Sequence, residues 1–269
     1  MGMWSPTGDF VQPNRGYPDH SDHSLVLWKD GTPIAVGVEA QAGTDMVERY
    51  DRANETWSTG ASPATVRSQT EVVLLPDGRI LSAGGFWQAG AGAPDDAQWP
   101  AMPTADLYDP SLDAWRGVAE MTRAREYHAL TVLVPDGRVV TSSGGSNQAV
   151  GPGNDNSVEA FEPPYLFRGV RPRIDSVSTS TLERDQVVTI EFSYTDVPTE
   201  VLLMGTNAVT HWVDGGVSRM VALPFEQPGD GSVQFTVPGD EVELPIGWYL
   251  LFVMVDDIPS EASIVVVPS

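Results

Sequence analysis

The stretch EVVLLPDGRILSAGG (Glu71–Gly85) returns as LTVLVPDGRVVTSSGG (Leu130–Gly145), and this repetition decides the fold. In each copy an apolar strand meets an Asp-Gly turn, which favours a tight hairpin. A second apolar strand then ends in small residues and glycine, where backbones crowd. The turn residues Asp77 and Asp136 lie 59 positions apart. A second element, YDRANETW (Tyr50–Trp57), recurs as YDPSLDAW (Tyr108–Trp115) at an offset of 58. A weaker first copy, SLVLWKDGTPIAVGV, covers Ser24–Val38, and a last partial copy, VEAFEPPYL, covers Val158–Leu166. Four strands per unit at this period predict the blades of a β-propeller. The recurring Trp and Tyr read as packing between blades. About three units are legible, whereas propellers close with roughly four to eight. Three blades leave open faces and an exposed edge. The expectation is that further blades lie outside this chain, or come from another chain or by oligomerisation.

Composition agrees with an all-β protein. Of 269 residues, 26 are Gly and 22 are Pro, and 41% are hydrophobic, enough for a core. The formal net charge is -22, and Lys29 is the sole lysine. Such a surface repels nucleic acid and anionic lipid, so neither is expected as a partner. With no cysteine, disulfides, zinc-thiolate sites and thiol catalysis are excluded. No apolar run reaches membrane-spanning length. The start, MGMWSPTGDF, lacks the basic and apolar regions of a secretory signal.

After RGVRPRI (Arg168–Ile174) the repeat stops. Strand patterns follow at VVTIEFSY (Val187–Tyr194), EVLLMG (Glu200–Gly205), SRMVALPF (Ser218–Phe225), SVQFTVP (Ser232–Pro238), GWYLLFVMV (Gly247–Val255) and ASIVVVP (Ala262–Pro268). Short alternating strands at this spacing predict an immunoglobulin-like sandwich. The expected organisation is a partial kelch-type propeller over residues 1–168 and an early-set-type sandwich over 169–269. Tyr249 sits where a tyrosine corner would be.

Kelch-like blades followed by EAFEPPYLFRGVRPRI, AVTHWVDGGVSRMVALPF and LPIGWYLLFVMVDDIPSEASIVVV resemble the C-terminal part of the galactose oxidase and glyoxal oxidase family, the copper radical oxidases. The resemblance implies a mononuclear copper near the propeller axis. It further implies oxidation of a primary alcohol, aldehyde or carbohydrate with O2 reduced to H2O2, and an extracellular location. In the family an adjacent Tyr-His pair precedes an apolar strand and a P-D-G-R turn; Tyr127-His128, followed by Pro135–Arg138, matches. A histidine after Thr, on a hairpin sent up the propeller channel, matches Thr210-His211. By similarity His128 and His211 are copper ligands, and Tyr127 is an axial ligand and the base for a bound alcohol. Imidazole nitrogen with phenol oxygen suits Cu(II).

Read without the family, Tyr127-His128 is either a strand-edge pair or half of a metal site. The earlier copy has Ser68-Gln69 there, so the blade does not demand the pair. The family also uses a tyrosyl radical cross-linked to a cysteine by a thioether, which a cysteine-free chain cannot form. Tyr17, in NRGYPDHSDHS, is the one local candidate for the radical position. His20 and His23 have chelating spacing, with a solvated loop as the plainer reading. Asp95 and Asp96 fall in a long insertion. Tyr165 follows two prolines and is expected at the domain junction. The family's polar run after the hairpin histidine is replaced by VDGGVSR, where Asp214 and Arg219 are the nearest substitutes. The alternative function is a non-catalytic carbohydrate-binding or assembly module that keeps the scaffold.

Overall fold

The protein's computed structural model describes residues 8–11, 16–17, 20–21, 24–37, 47–64, 67, 69–85, 101–126, 128–144, 157–194, 196–210, 213–214 and 219–269. For residues 16–17, 20–21, 210 and 213–214 it describes the backbone. A two-stranded hairpin comes first, β1 (Gly16–Tyr17) against β2 (His20–Ser21). The first blade is β3 (Ser24–Leu27), β4 (Pro33–Val36), β5 (Val47–Asp51) and β6 (Thr56–Thr59), paired in chain order. The second is β7 (Glu71–Leu74), β8 (Ile80–Ala83), β9 (Ala105–Asp109) and β10 (Ala114–Gly117). The third is three-stranded: β11 (Ala129–Leu133), β12 (Val139–Ser143) and β13 (Val158–Phe161).

The turns that build the blades are longer than a two-residue hairpin. Gly78 N donates to Leu75 O at 2.9 Å, and Leu75 N donates to Arg79 O at 2.8 Å. Gly137 repeats the first bond on Val134 O at 2.8 Å, and Gly31 on Trp28 O at 2.7 Å. This is a type I turn followed by glycine in the left-handed region, with φ of 77°, 80° and 84° at Gly31, Gly78 and Gly137. The Asp carboxylate accepts the backbone N–H two residues on, 3.2 Å in Asp77 and 3.0 Å in Asp136. The following arginine side chain closes on the same carboxylate. Each residue of P-D-G-R therefore serves the turn locally. Proline presets φ, Asp caps, Gly turns left-handed and Arg neutralises.

The recurring aromatic rings pair within a blade, where packing between blades was expected. Trp57 lies opposite Tyr50 and Trp115 opposite Tyr108, with ring centroids 5.2 and 5.1 Å apart. The indoles also tie units together: Trp28 Nε1 donates to Gly78 O and Trp115 Nε1 to Ala61 O, at 2.8 and 2.7 Å. Tyr108 Oη donates to Asp113, which also accepts Ala61 N. Burial, then the Asp113 carboxylate, raises the Tyr108 phenol well above its ordinary range.

A 3-10 turn, Pro164–Phe167, leads into the sandwich. One sheet pairs β14 (Arg173–Val177) and β15 (Val187–Ser193) with β20 (Phe225–Gly229) and β21 (Ser232–Thr236), in the order 14-15-21-20. The other holds β16 (Glu200–Gly205), β19 (Met220–Leu223), β22 (Gly247–Val255), β23 (Ile258–Pro259) and β24 (Ser263–Val267). Between β16 and β19 stands a small hairpin, β17 (Val209–Thr210) with β18 (Val213–Asp214). The expected single strand Ser218–Phe225 is two strands in two sheets, broken at Pro224, which has no N–H for a ladder.

The expectation of alternating strands fails for β16 and β22, which are apolar on both faces. Val201, Leu203, Leu251 and Val253 join the sandwich core, while Leu202, Met204, Leu250, Phe252 and Met254 join a core shared with the blades. A sheet buried on both faces needs a continuous apolar run, and GWYLLFVMV is one. Each large side chain so buried contributes about 1.5–3 kcal/mol of transfer free energy. The junction is polar as well. Tyr165 is fully buried and donates to Gly137 O. Arg171 donates to Asp136 O, Pro259 O and Ser260 O at 2.6, 2.9 and 2.6 Å, tying the third blade's turn to the sandwich. Tyr249 Oη donates to Pro245 O at 2.8 Å, the expected tyrosine corner.

Candidate metal centre

The segment leading into β11 is clamped from several sides. Arg125 is 1% exposed. Its guanidinium donates to Ser143 O at 2.7 Å, Ser157 Oγ at 2.8 Å and Glu159 Oε1 at 3.1 Å. Its backbone oxygen accepts Gly85 N at 2.8 Å. Glu126 O accepts Ala129 N at 2.8 Å, closing a turn in which His128 has φ 67° and is exposed. The glycine pairs leave room for this segment. A Cβ on Gly84 would stand 2.6 Å from Arg125 O, and one on Gly144 would stand 3.1 Å from Glu126 O.

The left-handed backbone at His128 belongs to the blade. Gln69, 59 positions earlier, has φ 52°. The third blade differs in length. Arg67 and Arg125 are 58 positions apart while the turn aspartates are 59 apart, so one extra residue lies between the arginine and the turn. Arg67 repeats the clamp: it is fully buried and donates to Asp106 at 2.6 Å and Ser82 Oγ at 3.0 Å. In the first blade Glu48, also fully buried, accepts Val11 N at 2.8 Å. Sequence reasoning passed over these anchors. Their signal was an acid two residues before the aromatic of each third strand: Glu48-Tyr50, Asp106-Tyr108 and Glu159-Phe161. Burial pushes the Glu159 carboxyl up, but hydrogen bonds from Thr122 and the Arg125 pair outweigh it and hold it below the ordinary glutamate value.

The β17–β18 hairpin contacts β3, β7 and β11, the first strands of all three blades. Asn207, at its base, accepts Leu133 N through Oδ1 at 3.1 Å. On the far side Leu27 bridges Arg219. A sandwich element thus enters among the inner strands of the propeller. Tyr127 and His211 lie outside the described residues, as do His23, Asp95 and Asp96. Tyr17 and His20 pair across β1 and β2, and Asp214 pairs with Val209, on backbone alone. Among the described residues no three His, Asp or Glu side chains cluster as metal ligands would. Arg219, considered as a substrate-side group, donates instead to Val242 O and Glu243 O at 2.7 and 2.8 Å.

These features define a class: propeller blades that receive a hairpin from an immunoglobulin-like sandwich packed against them. Residues 171–267 match the family described as "Galactose oxidase-like, Early set domain". The chain is related to galactose oxidase and glyoxal oxidase. It is 32% identical over 222 residues to the galactose oxidase of Gibberella zeae, a match covering 76% of this chain and 31% of that protein. It is 28% identical over 229 residues to aldehyde oxidase GLOX1 of Arabidopsis thaliana, covering 77% and 37%. Among solved structures, a fungal alcohol oxidase of the AA5 family in complex with copper superposes with a TM-score of 0.77 at 24% identity, over 94% of this chain and 55% of that one. The chain therefore spans about a third of the length of these curated relatives.

Proposed function

We propose that the chain is the copper-bearing part of an oxidase that removes two electrons and two protons from a primary alcohol, or from an aldehyde as its hydrate, and delivers them to O2, giving H2O2. The donor set fits copper, since two imidazoles and a phenol are the mixed N,O ligation that Cu(II) favours. His128 and His211 would hold the ion, with Tyr127 as the third donor. Copper, when bound, would polarise the substrate oxygen and carry one electron. Tyr127 would accept the hydroxyl proton, which requires a phenolate at its oxygen within hydrogen-bond reach. The observation that carries the reading is the hairpin contacting β11. His211 follows Asn207 by four residues, and Leu133 follows His128 by five. The Asn207–Leu133 hydrogen bond ties the segment leading to His211 to the strand that follows His128, and β17 contacts β11.

The second electron needs a second redox group. The chain has no cysteine, so the family's thioether cannot form within these residues. We assign that group to further blades, supplied by another chain, by a longer chain or by oligomerisation. An extracellular location goes with this reading. The test is Cu(II) electron paramagnetic resonance on copper-loaded protein. His128→Ala and His211→Ala should each abolish the nitrogen-ligated signal, and an unchanged spectrum in both would sink the assignment. The cysteine-free composition favours a second reading, a non-catalytic carbohydrate-binding or assembly module. Sustained peroxide release from copper-loaded protein, dependent on Tyr127, would rule that out.

A further inference from the structure

We infer that a cavity between the first blade and the sandwich is a binding site for a small uncharged polyhydroxylated molecule, a sugar or polyol. It lies between the β3–β4 turn and the end of β5 on one side, and β19 and the β21–β22 connection on the other, with a volume of about 550 Å³. That falls within the roughly 300–1,000 Å³ of ordinary small-molecule sites, and junctions between domains are where such sites occur. The walls are held by contacts already formed. Lys29 pairs with Glu200 at 3.3 Å across the junction, the Leu27–Arg219 bridge joins the two walls, and Arg219 clasps the β21–β22 connection.

The lining chemistry selects the ligand. Three cationic residues, Lys29, Arg52 and Arg219, line it together with three acidic ones, Asp30, Asp240 and Glu243. The lining is thus charge-balanced, in a chain whose formal net charge is -22. The cations bring hydrogen-bond donors and no acceptors, and the carboxylates bring acceptors and no donors. A hydroxyl does both, so a molecule dense in hydroxyls and without charge can use both sets. An anion approaches against the field of the whole chain, and a cation offers no acceptor to the donors of Lys29, Arg52 and Arg219. Tyr50 and Pro33, also in the lining, supply apolar surface for the C–H face of a ring. This site does not rest on the copper reading, since none of its lining residues is a proposed metal ligand.

The experiment is isothermal titration calorimetry of the metal-free full chain with glucose, mannose, galactose and sorbitol, and with glucuronate as the charged control. Saturable binding of at least one neutral probe is expected, tighter than that of glucuronate. Arg52→Gln should weaken it about tenfold, the loss of one charge-assisted hydrogen bond. Glu243→Gln, which leaves the backbone oxygen that Arg219 uses, should do the same, with near-ultraviolet dichroism confirming that both variants are folded. His128→Ala should bind like the parent chain, which separates this cavity from the copper site. Absence of saturable binding by all four neutral probes, preference for glucuronate, or full affinity in both cavity variants overturns the proposal.

Discussion

Gly84 shows how a blade residue governs the candidate site without touching it. Its φ is 65°, and the space where a Cβ would go is filled by the backbone oxygen of Arg125, two residues before Tyr127. Gly84→Ala must strain its own backbone or push that segment away. It should cost about 1–3 kcal/mol in urea unfolding and weaken Cu(II) binding. Unaltered copper affinity in a destabilised variant would show that the clamp does not position the ligands. Glu159 makes a second test through pH. Its folded carboxyl lies below the ordinary value, so it contributes stability that is present above the ordinary glutamate range and is lost as pH falls through the folded value. Unfolding measured from about pH 7 down to about pH 3 should show that loss, and Glu159→Gln should flatten it. Asp77 has the opposite sign. Burial raises its carboxyl despite Arg79, so its contribution is largest in acid and fades as pH rises.

Between elements, Asn207 is the joint that sets the hairpin beside β11. Asn207→Ala removes the acceptor of Leu133 N and leaves a mostly buried N–H without that partner, at about 1–3 kcal/mol. Because that bond ties the strand after His128 to the segment before His211, copper affinity should drop even though no ligand is changed. Asn207→Asp, which keeps an oxygen acceptor, should retain most of it. Equal copper affinity in all three proteins would remove the hairpin from the argument. The same scale shows what was legible in advance. The P-D-G-R turns, the Trp-Tyr pairs and the tyrosine corner each rest on interactions within about a dozen residues, so their spacing announced them. The two-faced burial of β16 and β22 depends on blades that end 39 positions or more before them in the chain. Alternation could not report it, although the unbroken run in GWYLLFVMV was its trace. For the candidate site, the clamp behind Arg125 was legible only as a recurring acid in the third strands. The one-residue lengthening between Arg125 and its turn shows only when the two buried arginines are set in register. The charge-balanced cavity had no signature at all, since its walls come from four separate segments.

Across the whole molecule, the third blade presents an apolar face. The strand register sets Leu130, Val132, Val140 and Val158 on one side of that sheet. Leu130 is 43% and Val158 65% exposed, whereas the opposite side, with Ala129, Leu133 and Val139, is buried. With Ser142 between Leu130 and Val158 as its one polar member, a sheet face so largely apolar marks a contact surface or an aggregation site. Opposing it is a formal net charge of -22, which holds identical chains apart at low ionic strength. The two forces differ in range. Repulsion between exposed charges is screened within about 8 Å at physiological salt, while apolar burial needs contact and is little weakened by simple salt. The chain taken alone should therefore sediment as a monomer in dilute buffer and self-associate as sodium chloride is raised. Val158→Glu, placed at the most exposed point of the face, should restore the monomer at high salt. A chain that stays monomeric at every ionic strength, or an association that Val158→Glu leaves unchanged, would take this face out of consideration as the place where further blades dock.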